Sequence, residues 1–367
     1  MEGVVMDKTF WQGKKVLITG HTGFKGSWLV ILLNSLGADV AGYALSPNKE
    51  EDLFNIAQVS HGIYSVIGDV RDYSSLLGLI NKFKPEIVIH MAAQALVRES
   101  YLSPVDTYST NVMGTVNLFE CVRHTTSVRS VVNVTTDKCY ENNEWIWGYR
   151  ETDRLGGKDP YSSSKACAEI VTHAYRTSFF GNSELQPTIG ISTARAGNVI
   201  GGGDWSKDRL IPDIIRAFNT NQHVNIRFPN SIRPWQHVLD PLNGYLMLAK
   251  KLYLDPKNTK ESYNFGPADD SALSVQQLVE RIKFLWGSGS FKLEDPMDGL
   301  HEAAYLKLDI SQAKSSLHWN PLISIDDALA MTIGWYKNLS LGKGPRQLME
   351  QQINSFLEAD NNNEKFK

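Results

Sequence analysis

The chain has 367 residues, a hydrophobic fraction of 42%, a charged fraction of 21% and a formal net charge of -3, more chain than one hydrophobic core usually serves and therefore expected to form two lobes. The absence of a dense Lys/Arg stripe argues against nucleic acid as a ligand, and apolar runs such as Trp28 to Leu33 are too short to cross a membrane. Met1 to Phe10 lacks an apolar secretory core, and Cys121, Cys139 and Cys167 are too few and too scattered for a disulfide framework or a metal site, which fits a cytoplasmic protein.

The expected elements begin with a short buried strand from Lys15 to Thr19, running into Gly20, then an amphipathic helix from Phe24 to Leu36. Strands follow at Asp39 to Ala44 and Ile63 to Ile67, a helix at Tyr73 to Phe83, and a strand at Glu86 to His90. Pro104 to Arg123 reads as one long helix with proline in its first turn, Ser130 to Val134 as a strand, Tyr161 to Phe180 as a second long helix, and Thr188 to Ala194 as a strand. This alternation predicts an α/β fold, a doubly wound parallel Rossmann-type sheet with helices on both faces. After Gly197 the pattern loosens, with helices expected at Asp240 to Leu254, Ser274 to Trp286 and Ser324 to Tyr336. Residues 1–190 are expected to form a dinucleotide-binding domain. Residues 191–350 are expected to form a smaller C-terminal substrate-binding lobe that returns segments to the first, and 351–367 a polar tail. Disorder is expected in the first dozen residues and from Asp360 to Lys367.

Gly20-His21-Thr22-Gly23-Phe24-Lys25-Gly26 links the first strand to the first helix. Glycines at this spacing let the chain turn sharply and let backbone N–H groups approach a pyrophosphate at a helix N-terminus. Gly20, His21, Gly23, Phe24 and Gly26 are therefore candidate cofactor contacts, with His21 also a candidate source of positive charge beside the cofactor. The acidic residue expected about 20 positions on to grip an adenosine ribose is missing: Tyr43, Ala44, Leu45 and Ser46 stand there. No arginine follows that strand to hold a 2′-phosphate either, though Lys49 is near, so this strand end does not separate NAD from NADP, and NAD is kept as the expected cofactor.

Tyr161 and Lys165, four apart on one helical face, suit a phenol tuned as a base by a nearby ammonium. Thr136, Asp137 and Lys138 end the preceding strand, where side chains face the ligand crevice. The glycine loop and the Tyr/Lys pair resemble the extended short-chain dehydrogenase/reductases. Thr136-Asp137-Lys138, followed by Cys139-Tyr140-Glu141-Asn142 and Trp145/Trp147, is similar to the corresponding segment of the CDP-glucose 4,6-dehydratase group. That resemblance implies that Asp69-Val70 flanks an adenine and that Ala92-Ala93-Gln94 lines bound NAD.

It further implies a reaction. Tyr161 takes the proton from the carbon-4 hydroxyl of CDP-D-glucose, oriented by Thr136, while hydride passes to the cofactor. Asp137 and Lys138 assist loss of the carbon-5 proton and the carbon-6 hydroxyl, and the hydride returns to carbon 6, giving CDP-4-keto-6-deoxy-D-glucose for deoxysugar biosynthesis. Lys165 would hold the nicotinamide ribose. In the second lobe, Asn198, Arg209, Arg233 and His301 are candidate contacts for the nucleotide sugar, since a diphosphate calls for arginine. A homodimer through the two long helices, or a higher homo-oligomer, is implied by the superfamily alone. Two other readings remain: a nucleotide-sugar 4-epimerase, which shares the glycine loop and Tyr/Lys pair, and a non-catalytic dinucleotide sensor.

Overall fold

The computed structural model describes residues 7–181, 188–268, 272–294 and 305–364. In chain order the first half runs α1 (Lys8–Trp11), β1 (Lys15–Thr19), α2 (Phe24–Ser35), β2 (Asp39–Ala44), α3 (Leu53–Ile56), β3 (Tyr64–Ile67), α4 (Tyr73–Phe83) and β4 (Ile87–His90). It continues with α5 (Val97–Leu102), α6 (Pro104–Tyr108), α7 (Gly114–Arg123), β5 (Ser130–Val134), α8 (Pro160–Tyr175) and β6 (Gly190–Ala196). The second half holds β7 (Asn198–Ile200), α9 (Leu210–Asn219), β8 (His223–Arg227), β9 (Ile232–His237), α10 (Leu239–Leu254), β10 (Ser262–Phe265), β11 (Ala272–Ser274), α11 (Val275–Trp286) and β12 (Ser290–Glu294). Three helices close it: α12 (Ser311–Leu317), α13 (Ile325–Ser340) and α14 (Pro345–Glu364).

Seven strands form one parallel sheet in the order β10-β6-β5-β4-β1-β2-β3. The order reverses between β1 and β4, and ligands of doubly wound sheets bind outside the carboxyl ends of the strands at such a point. The near-continuous apolar strands Val16–Ile18 and Ile87–Ile89 are fully buried, as strands covered on both faces must be. Helix α2 is buried from Trp28 to Leu33 on every side, so it is an interior helix and not the amphipathic surface helix its sequence suggests. Strand β10, far along the chain, returns to the edge of the first sheet, while β11-β9-β7 and β12-β8 form small separate sheets.

Three expectations need correction. The first dozen residues are not all disordered: Lys8–Trp11 is helical, capped by the Asp7 carboxylate, and Trp11 is buried. Of the segment read as a polar tail, residues 351–364 lie in α14, which buries Leu348, Met349, Ile353 and Phe356 and packs on α2 and α13. Its apolar residues are too sparse to reveal a helix by composition. The two long helices are also interrupted: Ser109–Met113 separates α6 from α7, and Arg176–Phe180 follows α8, each as a π-helical turn. Such turns insert a residue without a change in composition, so periodicity does not announce them.

Candidate active site

The glycine loop is a backbone cradle. Gly20 has φ +78°, and a Cβ there would stand 2.7 Å from the Ala92 nitrogen. A Cβ on Gly26 would stand 2.1 Å from the Gly20 carbonyl oxygen, so the third glycine lets α2 seat directly on the turn. Gly23 is the N-cap of α2 and offers no side-chain cap, leaving the first-turn N–H groups to an external acceptor at the positive end of the helix. This donor set fits a pyrophosphate.

His21 differs from its expectation. It is fully buried, with Nε2 2.8 Å from Ser65 Oγ and its ring edge-on to Phe54. A Cβ on Gly42 would meet that ring at 2.3 Å, so the β2 glycine makes room for it. Burial pulls its pKa down to about 4, leaving a neutral ring at neutral pH that adds no positive charge beside a cofactor. Asp69 lies just past β3 and is clasped by Arg71, Nη2 to Oδ2 2.6 Å, which holds the carboxyl below its usual range. Val70 is buried against Gly114.

Next to the glycine loop, at the switch point, a buried polar chain joins β1 and β4 to α8. Thr19 Oγ1 accepts from the N–H groups of Met91 and Ala92 at 3.1 and 3.2 Å, so its own proton goes to His90 Nδ1 at 2.6 Å. The neutral imidazole then donates from Nε2 to Thr115 Oγ1 at 3.2 Å, and that hydroxyl donates to the Asn111 carbonyl at 2.8 Å. Asn111, in the π turn, pins Gln94 from both sides and donates to Ser164 Oγ at 2.8 Å, which donates to the Tyr161 carbonyl at 2.7 Å. The turn Ala92-Ala93-Gln94 and the Tyr161 helix are thereby fixed to each other. Sequence reasoning missed Asn111 and Ser164, because nothing local marks a π turn.

The catalytic candidates converge. Thr136 caps a short turn over Asp137–Cys139, accepting from the Lys138 N–H at 3.4 Å and donating to Asp137 Oδ1 at 3.0 Å. Lys138 Nζ lies 3.4 Å from the same oxygen, while Asp137 Oδ2 is buried without a hydrogen-bond partner among the described residues. Helix α8 starts with Asp159 as N-cap and Pro160 in its first turn, which sets Tyr161 at its opening and Lys165 one turn on. Both are buried, and Lys165 Nζ donates to the Val134 carbonyl at 3.0 Å. Burial raises the Tyr161 phenol to about 12, opposed by the Thr136 hydroxyl and the Arg209 charge. Burial likewise lowers Lys165 to about 8. The expected lowering of the phenol by Lys165 therefore does not appear: desolvation is the largest influence on Tyr161, and the ammonium is turned to the Val134 carbonyl.

Below this loop lies a buried ion pair, Arg195 Nη2 to Glu169 Oε2 at 2.6 Å. Glu169 also accepts from Thr135 and, at 2.6 Å, from Thr193, and Arg195 Nη1 donates to the Tyr140 hydroxyl at 2.7 Å. Thr135 and Tyr140 bracket the Thr136-Asp137-Lys138 segment, so the pair anchors it at both ends.

A cavity of about 660 Å³ is lined by Thr136, Asp137, Lys138, Tyr161 and Lys165, which form the wall from the end of β5 and the start of α8, and by Asn198, Arg209 and Arg233 from the second half of the chain, together with Ala93. Arg209 precedes α9 and pairs with the buried Asp204 at 3.1 Å; Arg233 lies in β9. Gly20, Gly23, Gly26, Asp69 and Val70 are not among the residues that line it. His301, with Pro296 and Glu302, lies outside the described residues. Lys25, given no role by the sequence pattern, lines the cavity too. A cation in the first turn of a helix opposes the helix dipole, and that local conflict is its sequence signal. Among the described residues no group of three His, Cys, Asp or Glu could hold a metal, and no helix is long and apolar enough to cross a membrane.

A family model described as GDP-mannose 4,6 dehydratase matches residues 17–332. The chain belongs to this family. It is 50% identical to the CDP-glucose 4,6-dehydratase of Salmonella typhimurium over 97% of this chain and 99% of that one. Solved structures share the fold. The dTDP-glucose 4,6-dehydratase of Streptomyces venezuelae, with NAD bound, has TM-score 0.76 at 23% identity, covering 90% of this chain and 99% of that one. A UDP-glucose 4-epimerase from Stenotrophomonas maltophila, also with NAD, has TM-score 0.78 at 21% identity over 90% of this chain and 100% of that one.

Proposed function

We propose that this chain is a CDP-D-glucose 4,6-dehydratase, a hydro-lyase that releases water and CDP-4-keto-6-deoxy-D-glucose with NAD as a bound cofactor. The observation that carries the reading is identity of 50% to a CDP-glucose 4,6-dehydratase along 97% of the chain, in a chain whose Thr136-Asp137-Lys138 and Tyr161/Lys165 groups share one cavity. The epimerase reading is not favoured. Family members of that kind are 25% identical or less among the relatives compared, and an epimerase has no use for a paired carboxylate and ammonium beside the threonine. A non-catalytic sensor has no use for Tyr161 and Lys165 at this spacing.

Residues 1–190 hold the dinucleotide and most of 191–350 the substrate. Gly20, Gly23, Phe24 and Gly26 present backbone donors to the pyrophosphate, Asp69 and Val70 flank the adenine, and Ala92, Ala93 and Gln94 line the remainder. When bound, NAD supplies a hydride acceptor for carbon 4 that becomes the donor to carbon 6. Thr136 orients the carbon-4 hydroxyl and Tyr161 takes its proton as hydride leaves carbon 4, and the ketone so formed makes the carbon-5 proton acidic. Asp137 and Lys138 then handle the carbon-5 proton and the departing carbon-6 hydroxyl. Asn198, Arg209 and Arg233, with His301, hold the nucleotide diphosphate. The protein works in the cytoplasm. Two copies pair through α6–α7 and α8, whose faces expose Val105, Met113 and Ile170.

Substrate carrying deuterium at carbon 4 tests the reading. The product should carry that deuterium at carbon 6 and a solvent hydrogen at carbon 5. Release of NADH in proportion to product would show an ordinary dehydrogenase, and inversion at carbon 4 without loss of water an epimerase.

A further inference from the structure

Tyr140 stands two residues beyond Lys138, and the reaction above gives it no part. It is buried, and its hydroxyl is held from two neighbouring strands of the large sheet. Arg195 of β6 donates to it from Nη1 at 2.7 Å, and it donates to Oδ1 of Asn264 in β10 at 2.7 Å. Arg195 and Asn264 are partners in the parallel register, so their side chains leave the same face of the sheet. Asn264 is fixed in turn: Nδ2 donates to the carbonyls of Tyr149 and Asp309 at 2.8 and 3.0 Å, and its N–H donates to Glu151 Oε1 at 2.8 Å. Burial holds the Tyr140 phenol well above its ordinary range, so it keeps the proton that it donates. Its ring stacks on Tyr149, with centroids 5.1 Å apart.

This tether acts next to one turn of the catalytic wall. Cys139 ends the turn that carries Asp137 and Lys138, and Tyr140 follows it directly. Tyr161 and Lys165 are set by other contacts, the Asp159 cap of α8 and the Val134 carbonyl. Thr136 follows on β5, where the Thr135 N–H donates to the Ala194 carbonyl at 2.9 Å. We propose that Tyr140 is a positioning residue for the elimination half of the reaction: its hydroxyl, fixed between Arg195 and Asn264, sets where Asp137 and Lys138 stand and leaves the oxidation by Tyr161 unaffected. The inference rests on the dehydratase reading. In the elimination the carbon-5 to hydrogen and carbon-6 to oxygen bonds break and carbons 5 and 6 become doubly bonded. One proton leaves carbon 5, one joins the departing hydroxyl to make water, and no electrons pass to or from the cofactor. Two side chains must be aligned with two bonds at once, and a shift of about 1 Å in such a constellation costs about 10²-fold in rate.

Tyr140→Phe removes the hydroxyl and keeps the ring and its stack, and two substrates then separate the half-reactions. CDP-6-deoxy-D-glucose has no hydroxyl to lose, so the NADH absorbance that it produces on the NAD-loaded protein reports oxidation alone. With CDP-D-glucose in a single turnover, NADH rises with oxidation and decays only after elimination, as hydride returns to carbon 6. Tyr140→Phe should oxidise the 6-deoxy analogue at a rate, and with a half-saturating concentration, within about twofold of wild type. The NADH formed with CDP-D-glucose should decay about 10- to 10²-fold more slowly than in wild type. Both rates come from one sample, so a misfolded site lowers them together. Equal slowing of the two steps overturns the proposal, as does decay at the wild-type rate. Weakened binding of the analogue overturns it too, because the hydroxyl would then act on the substrate itself. A wild-type protein that makes no 4-keto product from CDP-D-glucose would instead remove the dehydratase reading.

Discussion

The wall built from the end of β5 and the start of α8 hangs on internal partners: the Glu169–Arg195 pair beneath it, Lys165 on the Val134 carbonyl, and the Asn111–Ser164 link behind Tyr161. The wall contributed by the second half of the chain is held otherwise. Asp204 pairs with the partly exposed Arg209, the Tyr336 hydroxyl donates to the Asp204 carbonyl at 2.7 Å, and Trp28 Nε1 donates to the Gly202 carbonyl at 3.0 Å. One wall spends its buried polar groups on fixing side chains that would act on protons. The other anchors a backbone loop and brings Arg209 and Arg233 to the lining of the cavity. A proton transfer fails if misplaced by an ångström, whereas a diphosphate grip tolerates adjustment, so the first wall should be intolerant and the second graded.

The sharpest break comes at Tyr161. Tyr161→Phe should lower turnover by about 10²–10⁴-fold, the usual cost of a lost general base, with unchanged thermal unfolding; near-normal turnover in the folded variant would contradict its role. Next is the support beneath it. Glu169→Gln leaves the Arg195 charge buried and uncompensated, and should cost about 3–5 kcal/mol in denaturant unfolding. A loss below about 1 kcal/mol would mean the segment does not depend on that pair. On the second wall, Arg233→Ala should raise KM far more than it lowers kcat, as loss of uniform binding does. Equal effects on both would place Arg233 with the proton-handling wall.

Acid gives the mildest probe. His21, His90 and His237 are buried, and burial lowers them to about 4, 3 and 3. Below about pH 6.5 the unfolded chain binds protons that the folded chain refuses. Stability should therefore fall as pH drops from 6.5 and go on falling until about 4 for His21 and about 3 for the other two. Urea midpoints at pH 7.5 and pH 5 measure this, and equal midpoints would contradict it.

Much of the first wall was legible in the chain. The Gly20-x-x-Gly23-x-x-Gly26 spacing and the strand–helix alternation give the sheet, and Tyr161/Lys165 and Thr136-Asp137-Lys138 fall where that sheet puts a crevice. What was not legible is what depends on tertiary surroundings. Nothing in the sequence says that His21 is buried and neutral, or that desolvation governs Tyr161. Asn111 is hidden by a π turn that composition does not signal, and Glu169 and Arg195 meet from elements that only the fold brings together. In α14, polar residues mask the four apolar ones that dock it.

That last helix bears on how the protein comes to exist. Helix α2, which carries the glycine cradle, is apolar all round, and part of its cover is α14, separated from it by most of the chain. During synthesis α2 emerges early and waits, with apolar surface uncovered, for a partner made late. The sheet waits likewise for β10 at its edge. Contacts so distant along the chain are slow to form and leave sticky intermediates. The helix that carries the cradle is thus fully covered only once the last helix of the chain has docked.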